Sequence, residues 1–198
     1  MKKTMWKAGN MVYPLPAVLV SVSDGEGLDN ILTVAWTGTV CTNPPMVYIS
    51  VRPSRFSYDM ICRTGEFVIN LSTEDLAYAV DYCGVRSGRD VDKFKQLGLT
   101  KEPCRYVGAP MIAECPVSIE CRVKEKTELG SHVMFIADVL CVHAAEELID
   151  EKNRFCLNKA GMLVYSHGEY MGTGKTLGNF GFSVRKKRKQ KQTDNRFT

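Results

Sequence analysis

From Val117 to Val123 the chain alternates without a slip: Val117, Ile119, Cys121 and Val123 on one side, Ser118, Glu120, Arg122 and Lys124 on the other. A period of two marks a strand with one face on a core and one toward water, because successive side chains leave a strand on opposite faces. Strand signals also fill the first seventy residues. Ala17–Ser23 is β-rich and runs into Ser23-Asp24-Gly25-Glu26-Gly27, where Asp-Gly is a hairpin dipeptide. Ile31–Val40, rich in Val and Thr, reads as the returning strand, and Asn43-Pro44-Pro45 breaks the chain after it. Met46–Arg52 is apolar enough to be buried on both faces. Glu66–Leu71 sets Phe67, Ile69 and Leu71 on one face, His132–Val142 is apolar on both, and Met162–Tyr165 is a last short strand before Gly168, Gly172, Gly174 and Gly178.

Helical signals are fewer and short. Ser54 is a suitable N-cap for a helix over Arg55–Arg63 that Gly65 stops. Ser72 or Thr73 caps a second, in which Leu76, Val80 and Cys83 share a face, and a third lies around Val91–Leu97, ended by Gly98. Six or seven mainly antiparallel strands with two or three inserted helices fit one closed or partly closed barrel better than a doubly wound sheet. No repeat or linker interrupts residues 1–184, so they read as one domain.

Charge and cysteine usage narrow the function. The net charge is +4, but Arg185–Thr198 holds seven Lys or Arg and one Asp, or +6, which leaves the other 184 residues at −2. The body therefore offers no electrostatic footprint for nucleic acid; RKKRKQK has the charge to touch RNA, DNA or a membrane surface, but reads first as a solvated, disordered tail. The eight cysteines are spread evenly with no CxxC pair, as expected of reduced thiols in the cytoplasm. Trp6, Lys7 and Asn10 interrupt any signal-like apolar core, and no apolar run approaches a membrane span of about 20 residues. The sequence contains no GxGxxG fingerprint, no Walker phosphate loop and no GxSxG elbow, so a Rossmann dehydrogenase, an NTPase and an α/β hydrolase lack support.

Four constellations carry chemistry. Ser54-Arg55-Phe56-Ser57 opens a helix, where free N–H groups, a forked cation and a hydroxyl suit a phosphate; a capping Ser beside a surface Arg is also an ordinary helix start. In Asn30-Ile31-Leu32-Thr33-Val34-Ala35-Trp36-Thr37, Thr33, Ala35 and Thr37 share a face small enough for a flat ring to approach the backbone; Trp36 is equally a plain core residue. Cys83–Phe94 is too glycine-rich and charged for a packed connector, and its Lys93 can reach an anion; a plain solvated loop has the same composition. Leu129-Gly130-Ser131-His132 opens a buried strand with an imidazole that serves either a ligand oxygen or the fold.

Taken in order, these segments resemble the flavin reductase-like, FMN-binding split-barrel family, most closely its flavoredoxin branch. The matching stretches are NILTVAWTGTVCTNPPMVYISVRPSRFSYDMI from Asn30 to Ile61, TGEFVINL from Thr64, CGVRSGRDVDKF from Cys83, the Glu120-Cys121 pair, LGSH from Leu129 and Tyr170 with the glycines after it. The resemblance implies a six-stranded antiparallel Greek-key split β-barrel and a homodimer with FMN at or near the subunit interface. It implies that Asn30, Thr33, Trp36 and Thr37 line the isoalloxazine or ribityl chain, that Ser54, Arg55 and Ser57 hold the phosphate with Lys93 assisting, and that His132 sits near the ring or the phosphate. Tyr165 or Tyr170 would shield the flavin. The family often carries Ser or Thr variants where this chain has Arg55 and Ser57, and the basic tail matches nothing in its pattern. Two roles are then open. One is an NAD(P)H:flavin oxidoreductase, in which NADH or NADPH is a transient hydride donor; the other is an electron carrier that exchanges electrons with another redox protein. A membrane partner is not expected.

Overall fold

The computed structural model describes residues 1–185; the basic tail expected after Val184 lies, apart from Arg185, outside the described residues. The strands are β1 (Leu15–Pro16), β2 (Val18–Ser23), β3 (Asp29–Val34), β4 (Thr37–Cys41), β5 (Met46–Val51), β6 (Glu66–Leu71), β7 (Lys101–Glu102), β8 (Met111–Ile112), β9 (Val117–Leu129), β10 (His132–Ala144), β11 (Leu163–Ser166) and β12 (Glu169–Gly172). Three α-helices, α1 (Phe56–Thr64), α2 (Ala77–Val85) and α3 (Lys93–Leu97), are inserted between them.

Seven strands form the main antiparallel sheet in the order β3-β2-β6-β9-β10-β5-β4. The expected class, a mainly β split barrel, is what the chain forms, with one strand more than six. The extra strand arises because the expected Ile31–Val40 strand breaks at Ala35-Trp36. The Thr37 N–H bonds back to the Ala35 carbonyl, and the Ser50 N–H donates to the Trp36 carbonyl. At this bend the chain leaves one edge of the sheet and joins the other, which brings the two edges together.

The two faces of β2 explain the layering. Val18, Val20 and Val22 pack inside the barrel with Leu32, Ile49, Phe67, Ile69, Cys121 and Phe135, and α1 adds Met60 and Ile61. Ala17 and Leu19 point the other way, into a second core with Ile31, Val80, Cys83, Phe94 and Leu163 under α2, α3 and the small β1-β11-β12 sheet. Both faces of β2 are therefore dry, and burial of each large side chain contributes about 1.5–3 kcal/mol.

Several local expectations need correction. Helix α1 begins at Phe56 with Arg55 at the N-cap and no side-chain cap bond, so Ser54 does not cap it. Ser72 and Thr73 likewise make no cap bond; a 3-10 turn at Glu74–Leu76 precedes α2 instead. The third helix is only Lys93–Leu97, capped by the Asp92 carboxylate on the Lys95 N–H at 3.1 Å, and Gly98 ends it at φ 65°. Strand β5 alternates between buried and half-buried residues rather than being dry on both faces. The Val117–Val123 strand continues to Leu129, since β10 pairs with it along its whole length. No helix among the described residues is long and apolar enough to cross a membrane.

Candidate functional site: a two-lobed cleft

The bend at Ala35-Trp36 floors a cleft with two joined lobes. The larger, about 480 Å³, is lined by Thr33, Ala35, Trp36, Ser50 and Val51 at the end of β5, Arg52 after it, Asp81, Gly84, His132, Tyr165 and Tyr170. The smaller, about 280 Å³, lies between the start of α1 and the Cys83–Lys93 loop. Leu32, Thr33, Arg52 and Arg55 line both, so the two lobes are continuous.

The large lobe is shaped for something flat. Trp36 and His132 hold their rings parallel within 3°, with centroids 6.3 Å apart. Burial, followed by the nearby Arg52 and Arg55 charges, pushes the His132 imidazole below its usual value, so it is neutral at neutral pH. Its Nδ1 lies 2.9 Å from Ser131 Oγ. Tyr165 and Tyr170 also line this lobe, with ring centroids 5.7 Å apart, on strands paired in register. Burial and the adjacent Asp81 push the Tyr170 phenol up to about 12, so it stays protonated.

The small lobe is cationic. Arg52, Arg55, Arg86, Arg89 and Lys93 line it with Ser54, Ser57 and Ser87, and among the described residues no carboxylate does. Lys93 is only 3% exposed. Its Nζ donates to the Ile31 carbonyl at 2.6 Å and the Cys83 carbonyl at 2.9 Å, and among the described residues it has no acidic partner. Burial pushes its ammonium down from 10.5 to about 8. An isolated buried cation is costly unless an anion meets it, so this arrangement fits an anionic ligand. Glycine lets the loop pack closely along this lobe: a Cβ at Gly88 would strike the Asn30 amide and the Phe56 ring, and one at Gly84 would sit 3.4 Å from Thr33.

The sequence-derived residues divide between these lobes. Trp36, His132 and Tyr165 line the large lobe, Thr33 and Arg55 both, and Asn30, Ser54, Ser57 and Lys93 the small one. Asn30 donates from Nδ2 to Ser57 Oγ at 2.7 Å, which leaves the Ser57 hydroxyl proton available. Arg55 Nη1 donates to the Gly84 carbonyl at 3.0 Å, and the Ser54 carbonyl accepts from Arg89 Nη1 at 3.3 Å. Thr33 Oγ1 donates to the Val80 carbonyl, which ties α2 to β3. Thr37 lines neither lobe: past the bend it is buried and donates to the Tyr48 carbonyl at 2.7 Å. Arg52, Arg86 and Arg89 are cleft residues that the sequence reasoning did not single out. The only signal for the last two was their place in the glycine-containing Cys83–Phe94 loop.

The fold and site together define the class: a split barrel with a cleft in which an aromatic-lined lobe runs into a cationic pocket. Residues 10–174 match the family described as flavin reductase like domain, and the chain belongs to that family. Flavoredoxin of Desulfovibrio vulgaris (Miyazaki F) superposes with a TM-score of 0.86 at 30% identity over 93% of this chain and 100% of that one. A flavoredoxin from Methanosarcina acetivorans gives 0.82 at 26% identity over 93% and 100%. In sequence, the chain is 32% identical over 170 residues to an uncharacterised Escherichia coli K12 protein, which covers 82% of this chain and 88% of that one.

Proposed function

We propose that the chain is a flavoprotein that binds FMN in this cleft, phosphate in the cationic lobe and isoalloxazine in the aromatic one, and that it passes electrons through the ring. The observation that carries the proposal is Lys93, a buried ammonium without a carboxylate partner among the described residues, in a pocket walled by four arginines. Membership of the flavin reductase-like family supports it. When bound, FMN supplies reversible redox chemistry, and the protein supplies position and electrostatics. Lys93 and Arg55 would hold the phosphate with the Ser57 hydroxyl, Trp36 and His132 would flank the ring, and Tyr165 and Tyr170 would keep water from it. Neutral His132 is a hydrogen-bond donor that adds no charge beside the ring.

NAD(P)H is the proposed hydride donor. The flavoredoxin likenesses support the second role, an electron carrier between proteins. Anaerobic stopped-flow mixing separates the two: rapid bleaching of the flavin band by NADH or NADPH supports the enzyme, whereas reduction by a ferredoxin-like donor alone supports the carrier. A purified protein that is colourless and does not quench added FMN fluorescence would overturn the flavin reading. Hydrogen bonds to charged groups contribute about 1.5–3 kcal/mol, so Arg55→Ala weakens FMN by roughly tenfold to a hundredfold. Riboflavin, without the phosphate, is nearly unaffected; equal losses would place the phosphate elsewhere.

A further inference from the structure

A second group of side chains lies away from the cleft and is not used by the function proposed above. Glu120, on β9, is fully buried at 0% exposure. It accepts from the Arg105 N–H (3.0 Å), the Tyr106 N–H (2.6 Å) and the Val107 N–H (3.2 Å), and it pairs with His143 Nε2 at 2.6 Å. Cys141 lies directly opposite Glu120 in the β9–β10 ladder, and His143 is two residues further along the same strand. Residues two apart on a strand share a face, and directly opposed residues have Cβ atoms about 4.5–5.5 Å apart. The ladder shifts register between Val139 and Cys141, so Leu140 bulges and Cys141, not Leu140, stands opposite Glu120. Bulges re-aim side chains in this way next to functional sites. As a result, a carboxylate oxygen, a thiol sulfur and an imidazole nitrogen all lie within 4.8 Å of one another.

We infer that Glu120, Cys141 and His143 form a binding site for a divalent transition-metal ion of the zinc type. The donors are one O, one S and one N, a set that suits a borderline-soft ion such as Zn²⁺ or Co²⁺ rather than Mg²⁺ or Ca²⁺. Donors stand about 2.0–2.3 Å from zinc, so the ion replaces the proton between His143 Nε2 and Glu120 Oε1 and draws the Cys141 sulfur inward. The proton displaced from His143 Nε2 is taken up at Nδ1, so the imidazole stays neutral, and binding releases to solvent the Cys141 thiol proton alone. A thiolate, a carboxylate and a neutral imidazole then sum to −2, which the ion cancels within the site. Cys141 and His143 are half-buried, so the ion has a path of entry and water can take a fourth position. The three backbone N–H bonds already orient the Glu120 carboxylate, the supporting shell that metal ligands require.

The test is equilibrium dialysis of the purified full chain against Zn²⁺ alone, with bound metal counted by mass spectrometry, and a parallel Co²⁺ titration read as a thiolate-to-cobalt charge-transfer difference band. The expected result is one tight equivalent per chain that is lost in both Cys141→Ser and His143→Gln and retained in Cys62→Ser, which changes an exposed thiol on α1. Circular dichroism of the two ligand variants confirms that they remain folded, since neither removes the buried carboxylate. No stoichiometric metal, or an equivalent that survives in both ligand variants, overturns the site.

Discussion

Lys93 shows how one residue can make opposite demands of pH. Its ammonium pKa is depressed from 10.5 to about 8, chiefly by burial. Between those values the unfolded chain holds a proton that the folded chain has lost, so the unliganded protein gains stability as pH rises through this window. Below pH 8 the full penalty of the buried charge is present. A bound phosphate reverses the preference, because it favours the charged amine. FMN affinity should therefore be highest below pH 8 and fall above it, while the thermal stability of the flavin-free protein rises over the same range. Lys93→Met should flatten both profiles; fluorescence titrations and melting curves across pH 6.5–10 check this, and a binding profile unchanged in the variant would remove Lys93 from the phosphate site. The sequence placed Lys93 near an anion from its charged, glycine-rich neighbourhood. It gave no sign that the side chain would run inward to two carbonyls, because that depends on α3 packing over β3.

At the scale of elements, the cationic lobe exists because the Cys83–Lys93 loop lies against the start of α1. Arg89 bridges them through the Ser54 carbonyl and lies 5.3 Å from the Phe56 ring centroid, while Arg55 reaches back to Gly84. Gly88 permits this approach, since any Cβ there would collide with Asn30 and Phe56. Gly88→Ala should push the loop outward, break the Asn30–Ser57 bond and weaken FMN by about tenfold or more, at a cost near that of one charged hydrogen bond. Riboflavin affinity should change less, and isothermal titration with the two ligands distinguishes the outcomes. At α1 the left-handed Gly65, with φ 67°, ends the helix. A side chain there costs about 1–2 kcal/mol, so Gly65→Ala should lower the melting temperature by about 2–4 °C for each kcal/mol lost. Element types were legible because alternation and glycine stops are local signals. The break in Ile31–Val40 was not, because Ala35 and Trp36 have no turn chemistry; the bend follows from the sheet edges that they join. Helix starts were misread for the same reason, as Ser54 and Ser72 look like caps while tertiary packing sets where α1 and α2 begin.

The whole molecule leaves apolar surface uncovered at both ends of the described chain. Met5, Trp6, Met11 and Val12 at one end and Leu177, Phe180, Phe182 and Val184 at the other are exposed, and Asn10 reaches the cleft. A second copy is the proposed cover for these segments, and sedimentation equilibrium should give a dimer. Deleting residues 1–9 should shift that equilibrium toward monomer, while deleting residues 186–198 should leave flavin binding intact. A monomeric full-length chain would remove the dimer from this account. The cysteines belong to this scale too. All eight are free, and burial pushes the Cys83 thiol up to about 11 and those of Cys115 and Cys121 up to about 12. Cys83 lines the small lobe and packs in the second core, so its alkylation should be slow in the folded protein.

The bend at Ala35-Trp36 joins the edges of the barrel and also lays the floor on which a ring would rest. A chain that has made its hairpins but not yet met itself across that seam has nowhere to seat a flavin. Colour thus becomes a clock for folding: in a refolding experiment, quenching of added FMN should lag behind the return of β-sheet signal and coincide with the slowest step of closure.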